Sequence, residues 1–364
     1  MVKIPSMSPR QEKKRLLFHC PALTGGGAER VWALLARELA GRGHEVVMAV
    51  DSEAQNGPAL PAHIPVHVLG GGHLASMRAL RRLLNGFAPH VALSAIAASP
   101  LKLTIAARGM DVALIHAFHG FEEWRTGRMS HLTWRLLPWI ARHARAIVAV
   151  SDALRATLVR DWGAPEHKTT RIHNPVALPQ PLPQVTQDDL RARPPHVIAI
   201  GRLSREKGHG LLLRALSMMD IPDARLTILG EGPQRPHLEE QAKALGVRER
   251  VTFAGWQSDI WPWLGKARVL ALPSRTESFG NVVVEALACG LPVVSTETPG
   301  PREILRGDPA LGALVPITSA GAMARALDAA LTRPGNPAPR QARARDFSLS
   351  RGVDAWERLI LSKT

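Results

Sequence analysis

Two carboxylates, Glu277 and Glu285, stand seven residues apart around the turn Phe279-Gly280-Asn281. Before them the apolar run Val269 to Leu272, ended by Pro273, reads as a strand, and Pro292 to Ser295 reads as the next one. Between the strands the pattern predicts a loop and then a short helix from about Asn281 to Cys289, closed by Gly290 with Pro292 just beyond. Glu277 then lies in the loop, and Glu285 lies in the second helical turn on the side of Asn281. Backbone N–H groups near Phe279, Gly280 and Asn281 would point out of the helix N-terminus, where phosphate or sugar oxygens are well received. Two carboxylates beside such a site cannot both favour phosphate. At least one of them is expected to read hydroxyl groups, which donate to carboxylates in good geometry.

The elements that must hold these groups alternate along nearly the whole chain. Arg15 to Cys20 reads as a first strand, followed by the loop Pro21 to Gly27, a helix from Ala28 to about Ala40, and a second strand from Glu45 to Val50. Val31, Leu34, Leu35 and Leu39 share one face of that helix. A strand, glycine loop and helix suit a ligand turn, and suit tight packing equally. Further strand-like runs are Val66 to Leu69, Val91 to Ser94, Ala113 to Phe118 and Ala146 to Ser151. The run Ala113 to Phe118 leads into His119, and a histidine at the C-terminal end of a strand in an α/β domain points at the ligand crevice. His116, inside the strand, reads as a packing histidine. A proline-rich run from Pro179 to Pro195 reads as a linker, and a second α/β series starts at His196 to Ile200. Strand and helix alternation on this scale predicts an α/β protein with mainly parallel sheets.

Composition narrows the classes. A chain of 364 residues is too long for one ordinary core, so two domains are expected. Its two cysteines, Cys20 and Cys289, have no metal-ligand spacing and argue for neither a disulfide framework nor a zinc site. No run of eighteen apolar residues occurs, and the basic start leads into too short an apolar stretch for a signal peptide; a cytoplasmic location is expected. The net charge of +15 raises the question of nucleic acid, yet aromatics are only 4%, tyrosine is absent, and no nucleic-acid-binding motif occurs. Two accounts of the charge remain: an arginine-rich composition, or a surface attracted to anionic lipid. From Phe121 to Arg145, tryptophans (Trp124, Trp134, Trp139) are interleaved with arginines (Arg125, Arg128, Arg135, Arg142, Arg145). That pattern suits a membrane interface, and core packing with snorkelling arginines explains the same letters.

The motif S-x-x-E-S-F-G-N-x-x-x-E-A-x-A-x-G-x-P, spanning Ser274 to Pro292, resembles the signature of family-4 retaining glycosyltransferases of GT-B architecture. A bare pair of glutamates at this spacing would be worth little; the surrounding residues carry the resemblance. It extends to Gly26 to Val31, to His119, to the segment Gly201 to Gly208, to Leu229 to Pro233, to Phe253 to Trp256, and to Pro299 to Leu305. After Ile172-His173-Asn174-Pro175-Val176 the family usually has Asp where this chain has Ala177, which puts a ligand role there in doubt.

The resemblance implies two Rossmann-like domains facing across a cleft: residues 1–178 with a returning C-terminal helix at about 348–364, a linker at 179–195, and a nucleotide-sugar domain at 196–347. It implies catalytic roles for Glu277, His119, Arg202 and Lys207, with the two cations on the donor diphosphate. Donor-binding roles fall to Gly26, Gly27, Gly230, Phe279, Gly280, Asn281, Val282 and Glu285. Glu285 would hold the ribose, and Glu277 the sugar. No D-x-D motif occurs, so Arg202 and Lys207 would take the place of a metal ion in neutralising the leaving diphosphate, and no metal or other cofactor is expected. Trp256 is expected to fill core rather than stack on the base. The implied partners are a nucleotide sugar, UDP ahead of GDP, and a glycan or lipid-linked acceptor at the inner membrane face, with an anionic membrane surface as a further candidate and no nucleic acid. Two alternatives stay open: a nucleotide-sugar epimerase on the same fold, and a non-catalytic binding or assembly protein.

Overall fold

The computed structural model describes residues 12–23, 26–53, 57, 60–121 and 123–362; the side chains of residues 123 and 124 also lie outside that description. The basic start, Thr24 and Gly25 of the first glycine loop, and the Trp124 side chain therefore fall outside the described residues.

Among the described residues, runs rich in Val, Ile, Leu and Ala form thirteen strands in two parallel sheets. The first holds β1 (Arg15–Cys20), β2 (Glu45–Val50), β3 (Val66–Val68), β4 (Val91–Ala95), β5 (Ala113–Phe118), β6 (Ala146–Ala149) and β7 (Thr169–Arg171), in the order β3-β2-β1-β4-β5-β6-β7. The second holds β8 (His196–Ile200), β9 (Arg225–Leu229), β10 (Val251–Gly255), β11 (Val269–Leu272), β12 (Val293–Thr296) and β13 (Gly312–Val315), in the order β10-β9-β8-β11-β12-β13. Most of these strands are continuous apolar runs rather than alternating ones, because helices cover both faces of a parallel sheet. In each sheet the order reverses beside the first strand, between β1 and β4 and between β8 and β11. Ligand crevices of open α/β sheets form outside the carboxyl ends of the strands at such a reversal.

The chain divides into two compact units, each holding one sheet. The segment Val150–Leu154 groups with the second unit, and the chain from Val353 onward groups with the first. The last helix, Leu349–Leu361, is thus shared, as the resemblance implied. Its apolar face carries Trp356 edge-on to Trp32 at 5.9 Å, while Glu357 accepts from Arg42 at 2.5 Å and lies 3.0 Å from His44 Nε2. Arg145 donates to the carbonyls of Leu359 and Ile360 at 2.8 and 3.0 Å, satisfying the last turn of that helix. Arg145 is therefore a helix cap rather than a cation free for lipid. Trp134 likewise belongs to the core, packed between Phe118 and Trp162 at 5.3 and 5.0 Å.

The proline-rich run includes a helix, Gln187–Ala192, started by a capping box in which Thr186 and Asp189 satisfy each other's backbone amides. Burial pushes both thiols up, that of Cys289 to about 12, which keeps them inert.

Candidate functional site

Three loops meet at the carboxyl ends of β8, β9 and β11. The loop after β8 runs from Gly201 to Gly208 and starts the helix His209–Ser217. Gly208 has φ +66°, and a Cβ there would sit 2.1 Å from the Pro273 carbonyl oxygen. Only glycine permits that approach, which lays the Lys207 loop against the end of β11. The loop after β9 begins at Gly230, with φ +139° and its Cβ position 2.1 Å from the Gly201 carbonyl oxygen. Its amide donates to Gly255 at 2.7 Å, tying the end of β9 to the end of β10. After β11, Pro273 to Gly280 lead into the helix Asn281–Ala288, whose N-cap is Gly280.

These approaches bring Lys207 and Glu277, seventy residues apart, into an ion pair with Nζ 2.7 Å from Oε2. Ser274 Oγ stands 3.4 Å from the same oxygen. Thr296 Oγ donates to the Ser274 carbonyl at 2.5 Å, and Arg275 N–H donates to the Glu206 carbonyl at 2.7 Å, so both sides of the pair are braced. Arg202 differs: it is exposed and makes no side-chain hydrogen bond or ion pair among the described residues. The amides of Phe279 and Gly280 have no acceptor among the described residues, although the Phe279 ring is buried. Asn281 accepts from Asn174 Nδ2 at 3.0 Å, which joins the segment after His173 to the start of the motif helix. Val282 and Glu285 are half-buried on that helix, and Glu285 lies one turn beyond Asn281.

The second unit thus brings together Arg202, Lys207, Gly230, Glu277, Phe279, Gly280, Asn281, Val282 and Glu285. The first unit holds the remaining three candidates. His119 follows β5, half-buried, with Trp32 edge-on at 6.3 Å. Gly26 caps the helix Gly27–Gly41, and the Glu29 carboxylate sits 2.4 Å from where a Gly26 Cβ would be. His116 is a packing histidine, held by Ser94 Oγ at 2.7 Å and Thr104 Oγ at 3.1 Å, with burial lowering its pKa to about 3.

Two family models cover this chain: "Glycosyltransferase Family 4" over residues 25–179 and "Glycosyl transferases group 1" over residues 185–347. The GDP-mannose-dependent α-(1-6)-phosphatidylinositol monomannoside mannosyltransferase of Mycolicibacterium smegmatis is 30% identical over 294 residues, 72% of this chain and 71% of the relative. This chain belongs to glycosyltransferase family 4. The lipopolysaccharide core biosynthesis glycosyltransferase LpsE of Rhizobium meliloti is 40% identical over 140 residues, a match spanning 38% of this chain and only 40% of LpsE. Among solved structures, Anabaena HepE in complex with UDP superimposes with a TM-score of 0.79 at 20% identity, over 94% of this chain and 98% of HepE. The shared fold is GT-B.

Within this family-4 fold, three site features escaped the sequence. Trp256 is 51% exposed after β10, so the expectation that it fills core is overturned. Its indole follows Gly255 at the strand end, beyond the reach of the sheet's packing. His209, the first residue of the helix after Gly208, is buried beside the Gly201 turn; burial lowers its pKa to about 4 and keeps it neutral. Glu303 was expected only as part of a motif match. It stands 2.5 Å from His173 Nε2 and accepts from the Asp152 amide at 2.8 Å. A histidine beside a glycine turn is too common a pattern to have flagged His209, and nothing local to Glu303 names its partners.

Proposed function

We propose that this chain transfers a sugar from a nucleotide donor, UDP-sugar ahead of GDP-sugar, to a glycan or lipid-linked acceptor. The reading includes retention of anomeric configuration and no requirement for a metal ion. The observation that carries it is the arrangement at the carboxyl ends of β8 and β11. There an exposed cation, a second cation paired to a carboxylate, and a helix N-terminus with open amides surround one region. Such a set suits a diphosphate joined to a polyhydroxylated sugar.

In this reading Arg202 and Lys207 take the charge of the leaving diphosphate, and Glu277 with the Phe279 and Gly280 amides holds the sugar. Glu285 holds the ribose. The acceptor hydroxyl attacks on the face from which diphosphate leaves, and a phosphate oxygen helps to take its proton. The protein contributes position and preorganised charge rather than a nucleophile. His119 orients the sugar, and the exposed Trp256 indole offers a face to the base.

Relatives support the donor class without fixing it. HepE was crystallised with UDP, whereas the mycobacterial relative is named for GDP-mannose. The names of both curated relatives concern lipopolysaccharide or phosphatidylinositol glycans, which supports an acceptor made at a membrane. No helix among the described residues is long and apolar enough to cross one. Peripheral contact on the cytoplasmic face is part of the same proposal. A panel of nucleotide sugars tested by thermal shift identifies the donor, because ligand binding to the native state raises stability by mass action. Transfer of tritiated sugar to membrane extract then tests the reaction. Binding without transfer would favour a non-catalytic protein, and a free epimerised sugar would favour an epimerase.

A further inference from the structure

Two stretches of the second unit have no part in the proposed transfer: His173-Asn174 and the helix Pro299–Leu305. Both lie against the motif loop. Gly300 donates its amide to the Glu277 carbonyl at 2.9 Å, and a Cβ on Gly300 would collide with the Phe279 carbonyl. Glycine is what lets the start of this helix press so closely on the loop. Glu303 follows three residues later on the same side of the helix. Its Oε1 stands 2.5 Å from His173 Nε2, and its Oε2 accepts from the Asp152 amide at 2.8 Å, so the carboxylate is held at both oxygens.

The His173 ring lies 5.5 Å from the Phe279 ring, tilted by 34°. Phe347 completes the cluster, 5.1 Å from His173 and 5.5 Å from Phe279. Arg343 closes it from outside: its guanidinium lies 4.5 Å over the Phe347 ring and donates to the Ile304 and Glu303 carbonyls at 2.8 and 3.0 Å. Beside His173, Asn174 donates to Asn281 at 3.0 Å, one residue beyond Gly280. All these bonds surround a loop whose own donors stay open. The amides of Phe279 and Gly280 have no acceptor among the described residues, and Gly280 is left-handed at φ +93°. Fixing such a backbone costs conformational entropy that no hydrogen bond of those two amides offsets, so the loop depends on its neighbours for order. The buried Phe279 ring is the handle by which they hold it.

We propose that Glu303 is a positioning residue for sugar transfer: through His173 it fixes the Phe279 ring, and so aims the Phe279 and Gly280 amides at the donor sugar. The inference rests on the donor placement proposed above and goes beyond it, since neither Glu303 nor His173 is assigned a contact with substrate. A pair that served stability alone would leave the aim of those amides unchanged.

The test uses the full chain carrying Glu303→Gln, His173→Phe, or both. Glutamine has one carbonyl oxygen and cannot accept from His173 and the Asp152 amide together. Phenylalanine keeps a ring against Phe279 but offers nothing to Glu303. With the nucleotide sugar that most stabilises the parent as donor, each single variant should lower kcat about tenfold, as misplaced donors do. The double variant should fall no more than about threefold further, because both changes break one connection. Donor KM and UDP affinity should stay within about twofold, since Arg202, Lys207 and Glu285 are untouched. The stoichiometry of UDP binding in calorimetry should match the parent, so that lost folded protein is not the cause. Heavy-nitrogen labelling of the seven phenylalanines gives a second readout by NMR, with Phe279→Leu identifying the signal. Both single variants should move the Phe279 amide signal in the ligand-free protein.

If Glu303→Gln does not fold, His173→Phe supplies the kcat and Phe279 readouts alone. Parental kcat in the variants, beside a parent that binds UDP and transfers sugar, would overturn the inference and leave the transferase standing. So would a loss of kcat matched by lost UDP stoichiometry, or losses that multiply in the double variant, the mark of independent effects. A Phe279 signal displaced in both variants of a protein that binds no UDP would keep the brace and sink the transferase.

Discussion

The carboxyl ends of the two sheets use the same kinds of side chain in opposite ways. In the first unit, His19, Ser94 and His116 stand in register across β1, β4 and β5; Ser94 and Thr104 take both ring nitrogens of His116, while Nδ1 of His19 is buried without a hydrogen-bond partner among the described residues. Asp51 accepts from Lys102 at 2.8 Å and from Ser76 at 2.9 Å, with His19 Nε2 3.4 Å away. In the second unit, Arg202 is exposed and has no ion pair among the described residues, and the ion pair of Lys207 with Glu277 keeps both partners partly open to water. Buried polar groups must be satisfied where they lie, whereas groups meant for a ligand must leave their hydrogen-bonding capacity open. The first set of charges is largely consumed within the fold, and the second is the set proposed to meet the donor.

That contrast is broken most directly by deleting one cation from each unit. Lys102→Met should cost about 3 kcal/mol of stability, since it leaves the Asp51 carboxylate without its main partner. Denaturant unfolding measures this, and a change below 1 kcal/mol would mean the buried pair is not structural. Arg202→Ala should leave stability within about 0.5 kcal/mol. It should instead cost about 2–4 kcal/mol in kcat/KM, the usual loss when a charge-stabilising donor is removed. A value of kcat/KM within threefold of the parent would remove Arg202 from the site.

Acid sharpens the same comparison more gently, because each unit contains a buried histidine whose pKa burial lowers, His116 in the first and His209 in the second. Burial lowers His116 to about 3 and His209 to about 4, below the unfolded value near 6.5. The unfolded chain therefore binds more protons under mildly acid conditions. The stability from each neutral ring is complete above about pH 6.5 and falls as pH drops toward the folded value, by at most about 1.4 kcal/mol per pH unit for each. Asp51 adds to the loss at lower pH. His19 and Lys102 hold it well below the usual carboxylate range, so its contribution is complete above about pH 4 and declines beneath. In titrated unfolding curves His116→Gln and His209→Gln should each flatten the slope between about pH 4 and 6. A parent protein with constant stability over that range would contradict both assignments.

The two glutamates give a smaller effect. Glu285→Gln should raise donor KM and weaken UDP binding together, because the ribose does not react. Glu277→Gln should lower kcat, and the Lys207 pair adds a consequence that the motif alone did not suggest. Freed from Glu277, Lys207 should bind diphosphate better, so UDP affinity should rise up to about fivefold, the worth of a partly exposed ion pair. Calorimetry showing that Glu277→Gln loses UDP while Glu285→Gln keeps it would reverse the placement of the nucleotide along the motif. The smallest expected effect is none: EDTA should leave turnover unchanged, and strict dependence on a divalent cation would displace Arg202 and Lys207 from their proposed role.

Much of this was legible from residues alone where the signal is local. The boundaries of β1, β2, β5 and β8 match the apolar runs that foretold them, and the helix Asn281–Ala288 begins where Gly280 and Asn281 placed it. Weaker elements were missed. The edge strand β7, Thr169–Arg171, is short and polar, and the helix Gly72–Phe87 carries four leucines and three arginines without an acidic first turn. The tryptophans divided: Trp134, for which core and membrane readings both stood, went to the core, and Trp256, expected in the core, stayed at the surface.

By itself the sequence determined two parallel α/β sheets, the motif between β11 and β12, and the family, since periodicity, turn chemistry and motif context are properties of neighbouring residues. Only the tertiary structure decided which charges are consumed and which remain open. Lys207 finds Glu277 because Gly208 can press against Pro273; Lys102 finds Asp51 across fifty-one residues; Arg145 finds the last helix more than two hundred residues away. A side chain's charge is written in its letter. Its partner and its exposure come from chain segments that packing brings together, and no local pattern contains them.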